Sequence, residues 1–536
     1  MSNLKRERKF NTAGPSVLED HYMIDPLQRL DLPEVLHLID DKRYFVLHAP
    51  RQTGKTTSLL ALMAYLNARE NYLALYANIE GAQALRGNVE AGIDTVCGVI
   101  AGSAELYLGD KRLNEWVFGE GKQRAAGDKL KSLLAYWASL DDKPTVLMLD
   151  EVDALIGDTL ISLLRQIRAG YPQRPKGFPQ SIILCGVRDV RDYRIHTAQQ
   201  EIVTGGSAFN IKAKSLRLGN LTRDEVQEIY AQHTQETGQA FAPEIDPELW
   251  EDTYGQPWLV NALGYELTWE DKTARDRNKP ITLEMYYAAR ERLIQSRATH
   301  LDQLADKLKE PRVHRVIAPL LAGDETLSGI PVDDQQYVVD LGLIQVRPQV
   351  KISNRIYREV IPRELTYVEQ SSIVQQQAWY LKPDRRLDIP KLLAAFQQFF
   401  REHSEAWLER FDYKEAGPQL LLQAFLQRII NGGGRLNREY GLGRKRTDLI
   451  IEWPVDEQQG YHGPVQRIVI ELKLLRKGLE KTLAEGLEQT ADYAQRCNAD
   501  EAHLMIFNRD TDVSWDDKIW QRRESHDGRA IQVWGS

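Results

Sequence analysis

The chain has 536 residues, 42% hydrophobic and 27% charged, with a formal net charge of −8. That length exceeds what one hydrophobic core organises, so about three or four domains are expected, and the acidic balance argues against a protein that coats nucleic acid, although local patches rather than total charge govern phosphate attraction. No apolar run approaches the roughly 18 residues of a membrane span, the N-terminus is charged rather than apolar, and Cys97, Cys185 and Cys497 form no metal or disulfide spacing; these features favour the cytosol and no membrane partner.

From about 42 to 215, strand-like and helix-like segments alternate. Tyr44–His48 reads as a short apolar strand, followed by a helix over 55–69. Tyr72–Asn78, Thr145–Leu149 and Ser181–Cys185 read as further strands. Continuous apolar strands separated by helices predict a parallel sheet covered on both faces. Cys185 falls in such a strand and reads as an inert core residue.

The first strand runs into Ala49-Pro-Arg-Gln52-Thr53-Gly54-Lys55-Thr56-Thr57, the pattern of a phosphate-binding loop. Gly54 lets backbone amides approach phosphate oxygens, and the helix starting beside it adds a favourable dipole. Lys55 would reach the β- and γ-phosphates and the Thr56 hydroxyl would ligate Mg²⁺. Ala49 stands where the usual pattern has its first Gly. The third strand ends in Asp150-Glu151. Asp150 would serve the metal of a bound ATP, and Glu151 would orient and polarise the attacking water. The bland alternative for this pair is a solvated acidic turn.

From about 218 to 310 the pattern is helical and charged, with Thr222 and Glu225 spaced as a helix start. Residues 311–370 read as helix, helix and a hairpin, Leu343–Arg347 with Val350–Ser353, turning at Pro348-Gln349. That is the outline of a winged helix, in which Arg312, His314 and Arg315 are offset by acidic Asp324, Glu325, Asp333 and Asp334, a poor balance for major-groove reading.

Beyond a Gln-rich segment come helices over 388–403 and 417–430, a Gly432–Gly434 break, and an α/β segment. Thr447–Glu452 and Arg467–Leu472 are its expected strands and 478–496 its helix. Asp448 opens one strand. Glu471 and Lys473 lie two apart on the next, so both face one site. Leu472 turns the other way and offers its carbonyl. Carboxylates plus a carbonyl are hard ligands suited to Mg²⁺ or Mn²⁺, and Lys473 would act on the water or steady the anion. Gln489 and Tyr493, four apart on a helix, share a face. Arg435, Arg438, Arg444, Lys445 and Arg446 make the approach to Asp448 basic, which suits phosphate contact. The helix over 417–430 offers Gln423 and Gln427 where an upstream acid would be useful. Glu439 could substitute or could pair with Arg435 or Arg438.

Two resemblances follow from these motifs. The Ala49–Thr57 loop with Leu149-Asp-Glu-Val-Asp153 resembles archaeal-type ATPases and their bacterial AAA-like relatives in the STAND class of signal-transducing P-loop NTPases, over roughly residues 10–370. The resemblance implies a sensor role for Arg188 in Cys185-Gly-Val-Arg188, with pairing to Asp189 or Asp192 as the alternative. It places Pro257 of Gly255-Gln-Pro257 near the adenine, Pro257 otherwise marking a helix boundary. His21 and Tyr22 could stack on the base or simply pack. Glu471-Leu-Lys473 with Gly441-Leu-Gly-Arg444-Lys445-Arg446-Thr-Asp448 and Gln489-Thr-Ala-Asp-Tyr493 resembles the PD-(D/E)xK nuclease superfamily in its RecB-like branch, over about 385–515.

The expected protein is therefore multidomain α/β: a P-loop ATPase domain (1–215), a helical lid (216–310), a winged helix (311–370) and a PD-(D/E)xK nuclease domain with N-terminal helices (371–536). ATP with Mg²⁺ would gate a nuclease acting on nucleic acid, DNA before RNA. A homo-oligomer would couple the two, with a protein trigger or partner subunit as a further element. The resemblance points to bacterial defence against phage or mobile DNA. The alternatives are a signalling ATPase whose C-terminal domain binds nucleic acid without cutting, and a nucleic-acid motor, for which no helicase motif is visible.

Overall fold

The computed structural model describes residues 7–85, 87–188, 194–196, 202–204, 209–296, 299–321, 327–347, 349–365, 380–410, 417–430, 434–442, 445–456, 461, 463–475, 478–510 and 512–536. The chain divides into two compact units, Met1–Ser296 with Pro331–Gln345, and Arg297–Ile330 with Val346–Ser536.

The first unit is built on strands β1 (Tyr44–His48), β2 (Leu73–Asn78), β3 (Thr145–Asp150), β4 (Ser181–Gly186) and, after the short pair β5 (Arg194–His196) and β6 (Ile202–Thr204), β7 (Lys212–Arg217). Their order is β2-β3-β4-β1-β7, and every pairing is parallel. The apolar strands alternate their side chains between two cores. Tyr44, Val46, Leu75, Leu147 and Leu184 join the helices Val89–Leu108, Ala126–Ser139 and Gly157–Gly170 on one face. Phe45, Leu47, Tyr76, Met148 and Cys185 join Leu32–Asp40 and Lys55–Ala68 on the other. Parallel strands need crossover connections that cover both faces, which is why these strands read as unbroken apolar runs. Burial pushes the Cys185 thiol well up, in keeping with an inert core residue.

One expectation needs correction. The helix Val89–Leu108 is long and apolar enough, by length and composition, to cross a membrane. Counting only unbroken apolar runs missed it, because isolated acids such as Glu90 and Asp94 interrupt the run. Its Ile93, Val96, Cys97 and Ile100 are fully buried within the first core.

The segment expected to form a lid is helical, with Arg223–Thr237, Ile245–Thr253, Pro257–Tyr265 and Leu283–Gln295. Thr222 and Glu225 form a reciprocal capping box at its first helix. Gly255 carries a φ of +68°, and a Cβ there would lie 1.9 Å from the Leu221 carbonyl oxygen. The Leu221 amide in turn donates to the Gly255 carbonyl at 2.8 Å. Gln256 then caps the next helix by accepting from the Leu259 amide at 2.6 Å, with Pro257 at the helix start. Pro257 thus begins a helix, where its missing N–H costs nothing.

Next along the chain come the helices Thr299–Leu308, Pro311–Leu321, Val332–Asp340 and Arg355–Leu365 and the two-residue strands β8 (Ile344–Gln345) and β9 (Lys351–Ile352). Pro348 of the expected turn lies outside the described residues, as do Asp324 and Glu325.

In the second unit a six-stranded mixed sheet has the order β10-β11-β12-β13-β15-β14, from β10 (Arg435–Leu442), β11 (Lys445–Pro454), β12 (Val465–Leu474), β13 (Glu501–Phe507), β14 (Trp520–His526) and β15 (Arg529–Gly535). Along β12, Ile468, Ile470 and Leu472 pack with the helices Ile389–Arg410 and Gly417–Ile430. Val469 packs on the opposite face with the helix Leu479–Arg496.

Gly255→Ala is expected to destabilise the first unit by about 2 kcal/mol or more, because it combines a left-handed backbone with a clash against main chain. Thermal unfolding checks this, and a variant melting with the wild type would contradict it.

Candidate nucleotide and metal sites

In the first unit, β1 delivers the chain to the loop at the carboxyl edge of the sheet. Gly54, at φ +90°, sits immediately before the helix Lys55–Ala68. The Lys55 ammonium curls back and donates to the carbonyls of Ala49 and Pro50, each at 3.0 Å. Thr53 steadies the loop through a 2.8 Å bond to the Pro50 carbonyl. Gln52 holds a positive φ of 57°. Thr57 accepts from the Ser16 amide at 3.1 Å.

The register Asn78↔Asp150 between β2 and β3 brings Asp150 to the same edge. Its carboxylate is fully buried. One oxygen accepts from the Thr56 hydroxyl at 2.7 Å and the Tyr76 hydroxyl at 3.0 Å. The other accepts from the Glu151 amide at 2.9 Å. Thr56 and Asp150 are thus adjacent oxygen donors, which fits a Mg²⁺ held with a triphosphate. Neutral donors satisfy the acid without cancelling its charge.

Glu151 adopts φ 58°. Burial raises its pKa, Asp153 and Asp150 raise it further, and Lys55 and Arg51 oppose the rise. Asp153 accepts from the Val187 amide at 3.3 Å, tying the end of β3 to the chain beyond β4.

A cleft opens beside the loop. Gln52, Gly54, Thr57, Tyr22, Pro257 and Trp258 are among its walls. Trp258 donates its indole N–H to the Thr12 carbonyl at 3.0 Å, so residues near the N-terminus form part of the lining. Tyr22 is only 1% exposed and packs edge-on against Phe10 and His233. His21 accepts the Val17 amide on its ring at 2.9 Å, which makes it a local turn residue.

Sequence reasoning missed Arg29. Its guanidinium donates to the Thr53 carbonyl at 2.5 Å and the Gly219 carbonyl at 2.7 Å. Burial lowers its pKa to about 10. Tyr76 was also missed. Neither belongs to a local motif, and their contacts span 24 and 74 residues. Arg188 lies two residues past β4 and is 9% exposed. It meets Asp340 at 3.7 Å and lies over the Tyr337 ring at 4.7 Å. The expected alternative partners Asp189 and Asp192 fall outside the described residues.

In the second unit, Glu471 is 2% exposed. Lys473 donates to it at 2.8 Å and also to the Gln489 side-chain oxygen. The helix Leu479–Arg496 therefore supplies Gln489 to the strand that carries the acid. Tyr493 is buried in the core on that face, and Leu472 in the core on the other. The β11–β12 pairing reaches Leu449↔Ile470, the residues adjacent in sequence to Asp448 and Glu471. The side chains of Asp448, Arg438, Glu439, Lys445 and Arg446, and Arg444 altogether, lie outside the described residues. Arg435 stacks on the Tyr461 ring at 3.8 Å. Gln423 and Gln427 are buried on their helix. Among the described residues no group of three or more His, Cys, Asp or Glu side chains converges. The side chains present, one buried carboxylate beside an ammonium, fit a hard cation only with a further acid.

No protein-family model matches the chain, and no curated protein matches it. Solved structures similar to it include the Walker-type ATPase PABY2304 of Pyrococcus abyssi, at 15% identity and TM-score 0.46, covering 66% of this chain and 99% of that one. The Aeropyrum pernix ORC2 protein, in ADPNP–ADP complexes, is similar at 16% identity and TM-score 0.40, covering 64% and 94%. The Thermotoga maritima RuvB Holliday junction branch migration motor is similar at 13% identity and TM-score 0.33, covering 65% and 97%. With TM-scores below 0.5, these likenesses carry no functional argument.

Tyr76→Phe would leave the buried Asp150 carboxylate one donor short. The expected cost is about 1–3 kcal/mol of stability in the first unit. Added Mg²⁺ should recover part of it, because the ion compensates the same charge. Unfolding with and without Mg²⁺ checks this, and an unchanged midpoint in both conditions would contradict it.

Proposed function

We propose that this chain binds and hydrolyses ATP with Mg²⁺ in its first unit and cleaves phosphodiester bonds with Mg²⁺ or Mn²⁺ in its second, the nucleotide state controlling the cut. The observation that carries the nucleotide half is the Thr56–Asp150 bond, which joins the phosphate loop to the acidic end of β3. Lys55 then serves the β- and γ-phosphates, and Glu151 orients the attacking water. The cleft beside the loop takes the base against Pro257. In this reading residues 1–215 are the ATPase domain, 216–310 the lid, 311–370 a winged helix and 371–536 the nuclease domain.

The nuclease half is supported by the Lys473–Glu471 pair and by Gln489 behind it. Asp448, on the strand beside the one that carries Glu471, would complete the carboxylate pair that a metal needs. Tyr493 supports the helix, and Arg444, Lys445 and Arg446 would contact a nucleic acid, DNA before RNA. A homo-oligomer acting in defence against foreign DNA fits this combination. One observation favours the second reading, a signalling ATPase that binds nucleic acid without cutting. The helix Gly417–Ile430 presents buried Gln419, Gln423 and Gln427 and no carboxylate.

Lys55→Ala is expected to abolish ATP hydrolysis and most ATP affinity; calorimetry that finds unchanged binding would remove the assignment. Glu151 must be charged to take a proton from water, and burial raises its pKa. Hydrolysis should therefore fall as the pH drops through a value above the usual carboxylate range, and Glu151→Gln should bind ATP but turn it over slowly. A pH–rate profile with its acid limb at about 4 or below would contradict this role.

Asp448→Ala, Glu471→Ala and Lys473→Ala are each expected to abolish cleavage and leave ATP hydrolysis nearly intact. Gln489→Ala should have a smaller effect. The check is a panel of plasmid, single-stranded DNA and RNA with Mg²⁺ or Mn²⁺, with and without ATP. Cleavage by Glu471→Ala at the wild-type rate would sink the nuclease reading.

A further inference from the structure

Arg29 is a partly buried cation that the proposed chemistry does not use. Burial lowers its pKa to about 10, so the guanidinium keeps its charge at neutral pH. A cation that has given up water is expected to have an anion beside it. Among the described residues its hydrogen bonds go to two carbonyls and to no carboxylate. The carboxylate that acts on it through space is Glu225. That group accepts from the Thr222 amide at 2.6 Å in the capping box.

The two carbonyls fix its place. One guanidinium nitrogen, Nη1, donates to Thr53 at 2.5 Å, and the other, Nη2, to Gly219 at 2.7 Å. Thr53 precedes the glycine of the phosphate loop. Gly219 lies two residues past β7. The residue between, Leu218, donates its amide at 3.0 Å to the carbonyl of His48, the last residue of β1. The guanidinium therefore ties the loop to the sheet edge from which it springs.

Gly54 makes room for this tie. Its φ is +90°, and a Cβ there would lie 2.7 Å from Nη1 of Arg29. Glycine is thus needed on the carbonyl side of the loop, apart from any approach of phosphate on the other. A trans peptide is planar, and its C=O and N–H point in opposite directions. By holding the Thr53 carbonyl, Arg29 sets the direction of the Gly54 N–H. Among the described residues that N–H has no acceptor. A cation at the carbonyl end also polarises the peptide and strengthens the N–H as a donor.

We infer that Arg29 is a positioning residue for the phosphates, holding and polarising the Thr53–Gly54 peptide from its carbonyl side so that the Gly54 N–H meets them. This rests on the nucleotide-binding reading and adds to it the cation that presets the loop. The amides of such a loop cradle the α- and β-phosphates, which ADP and ATP share. Arg29 therefore sets the affinity for both and does not tell them apart.

The test is displacement of a fluorescent ADP analogue from the full chain, with Mg²⁺, by ADP, the slowly hydrolysed analogue ATPγS, or pyrophosphate. Wild type, Arg29→Ala, Arg29→Gln and Thr222→Ala are compared. Arg29→Ala should weaken all three competitors by the same factor, about tenfold. Arg29→Gln keeps a donor without the charge and should lose about threefold. Thr222→Ala breaks the capping box and should lower the melting temperature, yet move no affinity by more than about twofold. It controls for general loosening of the unit. A folded Arg29→Ala protein with wild-type affinities would overturn the inference, as would an equal loss in Thr222→Ala. A loss confined to ATPγS would overturn it by placing the guanidinium on the γ-phosphate. A loss that spares pyrophosphate would overturn it by placing the guanidinium on the base. Should Arg29→Ala not fold, Arg29→Gln is read in its place, and wild-type affinities there overturn the inference. Should pyrophosphate not displace the probe from wild type, hydrogen exchange decides. The Gly54 amide should exchange faster in nucleotide-free Arg29→Gln than in wild type, and equal exchange would overturn the inference. A wild type that binds no nucleotide removes the nucleotide reading itself. A wild type that binds nucleotide, with Arg29 immaterial, removes this inference alone.

Discussion

A carboxylate with no exposed surface has lost its water and has to find its hydrogen-bond donors in the protein. Asp150 is such a group, and the first unit is organised around meeting its demand. Its three donors come from the helix after the phosphate loop, from the neighbouring strand β2 and from the chain just past β3. Those donors are in place only if the β2–β3 register, the loop and the turn at Glu151 are all correct together. The same interaction thus fixes local geometry and holds two carboxylate oxygens where a divalent ion would need them.

The second unit meets a comparable demand differently. Glu471 is nearly as buried, but its partner is the ammonium of Lys473, two residues along the same strand. The cation itself is held by Gln489 from the adjoining helix. Hydroxyl and amide donors at Asp150 leave its charge available. At Glu471 the charge is shared with a neighbour, so any metal there competes with an ammonium unless a second acid joins. The β11–β12 pairing ends at Leu449↔Ile470, one residue short of Asp448 and Glu471, so Asp448 is the acid that the nuclease proposal needs there.

What could be read from the sequence followed from local repetition. The strands β1 to β4 are apolar throughout and stood out, with boundaries within a residue or so of those observed. The alternation along β12 placed Glu471 and Lys473 together and sent Leu472 to the other core, because a two-residue period is local. β7 escaped notice because Lys212–Arg217 is an edge strand, charged and partly exposed, with no apolar run to mark it. Around Glu439 the sequence left strand and turn open, because Arg435–Leu442 is polar along most of its length; it is the strand β10. The last three strands carry no motif. Arg29, Tyr76 and Asp340 act through contacts 24, 74 and 152 residues away. No window of sequence encodes such a meeting. It follows from topology, which a single chain's pattern leaves open.

The lining of the cleft has a consequence for synthesis. Thr12 meets Trp258 across 246 residues, Asn11 meets Asn261 across 250, and Arg8 meets Glu236 across 228. At about 5–20 residues per second, a ribosome needs on the order of 12–50 s between making one side of that wall and the other. During that interval residues 8–12 lack their native partners at 236–261, while the sheet they will lie beside can already form. Residues 8–12 are therefore among the last to settle in this unit. The cleft beside the loop stays open until the helix Pro257–Tyr265 has cleared the exit tunnel.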